Sequence, residues 1–369
     1  RRKRGGQPGH KGHGRKNPTE VDEEKEVHLS NCPDCGSEVE ETTTTYERIV
    51  EDIPDPKKKV TRYHIQRQWC CCCNKEVRAV PFGTLEGFRI GLQLIVWLLF
   101  HKYRLRTPMA KMEEALKEQY DMKLSQGGIQ DILHRLKKRF GKKYEKIIKH
   151  IQSCKVKHGD ETGWRIEGIN GWCWLFSSKR AALYTIEETR GKGVPDAVLG
   201  KRPQGVLVRD DCPSYAHLEM EQQSCWVHLL RVSREAKERD SASEEVTALH
   251  AHLKKMFQEL KELVESPFDQ NARDQAYAHY VKKLKRIQNR TYKHSDTQKV
   301  QTRIQNQGAN LLTALKHNGV PLTNNHAEQQ IRPMVVTRKI SGGSRSPKGA
   351  ATHAVNMSIV QTLFLEGKS

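Results

Sequence analysis

Apolar residues recur at helical steps over 85–150, gather in strand-like runs from 154, and return to helical steps after 241. Leu105, Met109, Met112 and Leu116 recur every three or four residues. The stretch "YDMKLSQGG" interrupts them, and Ser125 is placed to cap a second helix carrying Ile129, Ile132, Leu133 and Leu136. From residue 154 three strand-like runs follow, "CKVKHGDETGWRI", "GWCWLFSS" and "AALYTIEET", then a helix near 194–200 and a fourth strand, "GVLVRDD", at 205–211. "SCWVH" at 224–228 reads as a fifth short strand leading into a helix. This order predicts an α/β layer with a mixed sheet.

After Ser241 an amphipathic helix carries Val246, Leu249, Leu253, Met256, Leu260 and Leu263, with Ser241 and Glu244 as its capping box, and further helix runs to about 317. A last helix follows in "LTNNHAEQQIRPM", 322–334. There Asn325, Glu328 and Arg332 share one face, and Pro333 is expected to end or kink the helix.

Composition adds a polyanionic partner. The 369 residues hold 64 Lys and Arg against 44 Asp and Glu, a net charge of +20 that suits nucleic acid. A membrane partner is disfavoured: the longest apolar run, "LQLIVWLLF" at 92–100, is under half a span and reads as a core helix. The opening segment "RRKRGGQPGHKGHGRKNP" has no acid and cannot bury a core. It reads as a disordered arm whose Arg1, Arg2, Lys3, Arg4, Lys11, Arg15 and Lys16 lie along phosphates. In the second helix of the 85–150 region, Arg135, Lys137, Lys138 and Arg139 make a basic face. That pattern fits a helix-turn-helix with Arg135 and Lys138 on DNA, and equally a plain helical hairpin with a solvated face.

Ten cysteines and no signal-peptide pattern point to a reducing cytoplasm, with metal ligands and buried thiols in place of disulfides. "CPDC" at 32–35 and "CCCC" at 70–73 bracket a small β-rich unit in which Tyr63, Ile65 and Trp69 alternate as on a half-buried strand. Four thiolates on two tight turns, Cys32, Cys35, Cys70 and Cys73, would hold a structural Zn²⁺ and stabilise a unit too small for its own core. Cys71 or Cys72 can substitute for one ligand, and redox-active or merely buried thiols are the alternative.

Two aspartates stand out in the strands. Asp160 lies inside the first and Asp210 ends the fourth, where carboxylates are uncommon and repel each other unless a cation sits between them. Oxygen ligands favour Mg²⁺ or Mn²⁺. Glu328, on a helix that can lie across the sheet edge, would complete a three-acid site for two ions about 3.5 to 4 Å apart, which activates water or a sugar hydroxyl for attack at phosphorus. Arg332 would hold a phosphate or steady Glu328. If these acids are only turn, capping or solvated residues, no such site exists.

"DETGWRI", "GVLVRDDCPSY", "CWVHLLR" and "NNHAEQQIRP", with the basic "GGQPGHKGH" and the paired cysteine unit, resemble the bacterial insertion-sequence-66 transposases, a branch of the DDE enzymes with a ribonuclease-H-like core. The resemblance implies that Asp160, Asp210 and Glu328 are the catalytic triad and that 241–317 is a helical insertion. Cys225 and His228 then match a C-x-x-H signature with a structural or DNA-positioning role. Asp211 departs from the family pattern after the second acid, so the assignment can slip by one; strand parity favours Asp210 when the metal lies on the assumed face of the sheet. His158, Glu161 and His326 stand nearby as structural or substrate-contacting residues.

The expected architecture is a multidomain α/β chain: a basic arm (1–20), a zinc-binding β unit (21–84), a helical domain (85–152), a ribonuclease-H-like core (153–240), a helical insertion (241–317) and the core's completion (318–369). The expected activity is metal-dependent cleavage and strand transfer at insertion-sequence ends. Its partners would be double-stranded DNA, a second copy or more of the chain, and accessory proteins. A nuclease or resolvase on the same core, or a non-catalytic zinc-containing DNA-binding regulator, are the alternatives.

Overall fold

A computed structural model describes residues 18–40, 47–53 and 55–368. The arm residues Arg1, Arg2, Lys3, Arg4, Lys11, Arg15 and Lys16 lie outside them. The chain divides into two units, Arg1–Lys57 and Lys58–Ser369. In the first, "CPDC" forms a tight turn in which the Gly36 N–H donates to the Cys32 carbonyl at 2.8 Å. The second opens with a two-stranded antiparallel ribbon, β1 (Arg67–Cys70) and β2 (Lys75–Arg78). Its turn contains Cys71 to Cys73 and Asn74, the last at a left-handed φ of 49°. The expected half-buried strand is not formed: Tyr63 and Ile65 lie outside β1, and both they and Trp69 are exposed. A ribbon of two strands with none of the described residues packed over its exposed side cannot bury the apolar side of an alternating pattern.

Three helices follow, α1 (Leu92–Leu99), α2 (Met109–Tyr120) and α3 (Gln126–Ser153). The Ser125 hydroxyl caps α3 by accepting the Gly128 N–H at 3.2 Å. No helix among the described residues is long and apolar enough to cross a membrane. The 92–100 run is instead a core helix that buries Ile95 and Leu98.

A five-stranded sheet is built from β3 (Val156–Ile166), β4 (Ile169–Ser177), β5 (Ala182–Glu187), β6 (Val206–Arg209) and β7 (Glu221–Ser224), with α4 (Gly193–Leu199) between β5 and β6. The order is β5-β4-β3-β6-β7; β4 is antiparallel to β3 and β5, and β3, β6 and β7 are parallel. This is the mixed sheet of a ribonuclease-H-like core. The strands alternate between two buried faces: Cys173 and Leu175 pack with α2, α3 and the C-terminal helices, while Trp174 and Phe176 pack with α4 and the end of α3.

Beyond β7 run α5 (Trp226–Arg239), α6 (Glu244–Glu265), α7 (Gln270–Asn289), α8 (Ser295–Gln307), the single turn α9 (Thr313–Lys316), α10 (Asn325–Ser341) and α11 (Pro347–Leu365). Apolar residues of α5 to α9 form one cluster with Val206 and Val208 of β6.

Three local expectations need correction. The fifth strand is "EQQS", not "SCWVH": Cys225 is the N-cap of α5, which starts at Trp226. Its buried amides are satisfied, Gln222 accepting from Arg209 at 2.8 Å and Gln223 accepting the Ala314 N–H at 2.7 Å, so a strand without apolar residues is still stable inside. The cap of α6 is Ser243, which accepts the Val246 N–H, and Ser241 lies outside the helix. Finally, α10 continues through Pro333. The carbonyl that loses its donor belongs to Gln329, an exposed residue, so water can take the bond while the proline ring is buried.

Candidate active site

The register of β3 on β6 pairs His158 with Val208, and the same offset carried on sets Asp160 beside Asp210, the first residue past β6. On the other side Asp160 pairs with Leu175 of β4. Cross-strand partners share a face. Here that face is covered by α10 and α11 over β4 and β5, and by α5 and the insertion helices over β6.

Oxygens of Asp160, Asp210 and Glu161 lie within 4.8 Å of one another. Asp160 accepts the Glu161 N–H at 2.8 Å and Asp210 accepts the Cys212 N–H at 3.0 Å, so both carboxylates are oriented by their own backbone. Burial, then the charges of Asp210 and Glu161 and finally Glu328, push the Asp160 carboxyl up to about 8. The all-oxygen donor set and this mutual repulsion fit a hard divalent cation, which would relieve the crowding.

Glu161 is braced differently. Arg190 donates to its Oε1 at 2.6 Å and stacks over Trp172, while the Tyr215 hydroxyl donates to its Oε2 at 3.1 Å. Tyr215 packs on Gly159, where a Cβ would stand 3.2 Å from the ring, so the residue before Asp160 has to be small. Asp211 turns to the insertion, held by Arg303 and Gln307 of α8.

Asn324 joins three elements. It is fully buried just before α10; its Nδ2 donates to the Gly159 carbonyl at 2.8 Å, and its Oδ1 accepts from His158 at 3.1 Å. Its N–H donates to the Cys225 sulfur at 3.2 Å, and its carbonyl accepts the Glu328 N–H at 3.1 Å. Burial and the neighbouring His326 lower His158 to about 4, so at neutral pH it is an uncharged donor. His326 bonds the Ser178 carbonyl at 2.9 Å.

The expected site residues therefore fall into two adjoining groups. Asp160 and Asp210 meet with Glu161, while Glu328 meets Cys225 and His228, whose ligand atoms also lie within 4.8 Å of one another. The two groups are in electrostatic reach, since Glu328 contributes to the shift at Asp160. Arg332 is exposed and makes no bond to Glu328, and Asn325 is exposed at the first position of α10. Asn324, Arg190 and Tyr215 are the participants that pattern reading missed. An asparagine directly before a helix is a capping signal, but here the side chain spans to β3 instead of capping.

In the N-terminal half, a Ser37 hydrogen bond holds the Cys35 thiol below its ordinary value, and the Cys73 N–H does the same for Cys70. Each pair sits on its own tight turn. On α3, Arg135 is bonded to the Gly87 carbonyl and lies over Phe88, whereas Lys138 is exposed.

A mixed five-stranded sheet in the order β5-β4-β3-β6-β7, with β3, β6 and β7 parallel, defines a ribonuclease-H-like core. Residues 87–352 match the family described as Transposase IS66 family, and the chain belongs to it. It is a DDE-type transposase, an enzyme acting on DNA. A search of curated proteins finds no match.

Proposed function

We propose that Asp160, Asp210 and Glu328 are the catalytic acids of this transposase, that they hold two Mg²⁺ or Mn²⁺ ions, and that the enzyme cleaves DNA at the ends of an insertion sequence and joins them to a target. The observation that carries the reading is the side-by-side placement of Asp160 and Asp210, with the Asp160 carboxyl raised by burial and then by its acidic neighbours. The chemistry such ions supply is activation of water or a 3′ hydroxyl and neutralisation of charge on the scissile phosphate.

The protein's own part is positioning. Strand register fixes the two aspartates, and the Asn324 bonds to β3 fix where α10 begins, hence the approach of Glu328. The Arg190 and Tyr215 bonds keep Glu161 from swinging freely between the aspartates. Cys32 and Cys35 on one turn, and Cys70 and Cys73 on another, are structural Zn²⁺ ligands in this reading, consistent with an acidified thiol on each. The basic arm and exposed Lys138 contact phosphates, and two ends are held by at least two copies of the chain, with accessory proteins as further partners.

The test is Asp160→Asn with labelled element ends and a target plasmid in magnesium. DNA binding stays close to the parent's, while cleavage and joining fall by at least about a thousandfold. Undiminished joined product in this variant refutes the assignment.

A further inference from the structure

Glu328 has a second set of neighbours that the reaction does not use. His228 Nε2 stands 3.9 Å from Glu328 Oε1, too far for a hydrogen bond. Two donors on one tetrahedral zinc ion stand about 3.4 Å apart, so the gap is within about half an ångström of a shared ion. Cys225 Sγ supplies the third corner, fixed by the Asn324 N–H at 3.2 Å. Glu328 Oε1 is buried with no hydrogen-bond partner among the described residues, which is unusual for a polar atom in a folded interior. One thiolate, one imidazole and one carboxylate form a borderline-soft set that suits zinc or cadmium and not magnesium.

We propose that Cys225, His228 and Glu328 form a site for a thiophilic divalent ion, and that an ion there draws Glu328 away from Asp160 and Asp210, so that zinc inhibits the reaction magnesium supports. The inhibitory half rests on Glu328 being the third catalytic acid; the site itself does not. Glu328 is partly exposed, which leaves a fourth ligand position open to water.

The test uses the full chain, loaded with cadmium and observed by cadmium NMR. The expected spectrum contains a resonance in the single-thiolate range, apart from any four-thiolate signal of the N-terminal cysteines. That resonance is lost in Cys225→Ser and in His228→Gln and kept in Asp160→Asn. Its absence from the parent protein overturns the site, a measurement that needs no variant to fold; its survival in both variants does the same. Cleavage in magnesium is lost on adding zinc beyond the N-terminal demand and returns with a chelator; cleavage that withstands zinc while the resonance is present overturns the inhibition. Failure of the triad reading shows separately, as joined product from Asp160→Asn.

Discussion

The ribbon β1–β2 and the sheet β3–β7 are both β-structure, yet they are stabilised in opposite ways. In the ribbon every residue except Cys70 is exposed, and Trp69 keeps 62% of its surface. In the sheet Trp174 is at 0%, and helices cover both faces. The thiols follow the same division. Local hydrogen bonds lower Cys35 and Cys70, while burial raises Cys173 and Cys225. Stability in the sheet comes from packing; the ribbon buries almost nothing, so its order has to come from something other than a core.

Metal removal is the strongest way to break this comparison. A structural zinc in a small unit is worth on the order of 10 kcal/mol. If Cys70 and Cys73 bind the proposed zinc, a chelator is expected to open the ribbon, residues 67–78, to protease while the main thermal transition stays in place; a single transition shifting as a whole would erase the distinction. Next comes a pair of tryptophans. Trp174→Ala should cost about 3–5 kcal/mol in urea denaturation, and Trp69→Ala should stay within about 0.5 kcal/mol.

A smaller effect sharpens what core burial means for a titratable group. His353 of α11 is enclosed near the rings of Tyr103 and Trp164, and burial followed by the Lys102 charge lowers it from 6.5 to about 3. Between those values the unfolded chain binds the extra proton. Stability thus rises with pH through that window and is lost as pH falls below 6.5, by about 1.4 kcal/mol per pH unit. His353→Phe should flatten this part of the acid limb in urea titrations across the window. The smallest expected effect is at a helix end: Ser243→Ala should cost about 1 kcal/mol and Ser241→Ala close to nothing, both read from urea midpoints.

The strands near the aspartates were legible because they form strand-like runs separated by short turns, and a carboxylate inside one run and another at the end of a second stood out there. The next strand was not legible, since its stability comes from amide bonds of Gln222 and Gln223 to partners elsewhere in the chain. The cap at Ser243 was misplaced by two residues because both serines precede the same apolar repeat. Pro333 misled because a proline costs little when the carbonyl it strands faces water. Within the site, spacing along α10 pointed to Asn325 and Arg332, which are exposed, whereas Asn324 works through bonds to residues more than 160 positions away. Contacts of that range leave no periodic trace.

The grip of α8 on Asp211 has a mechanical consequence. Arg303 and Gln307 grasp a side chain one peptide bond from Asp210. A shift of α8 would therefore pull on the segment just past β6, one residue from Asp210.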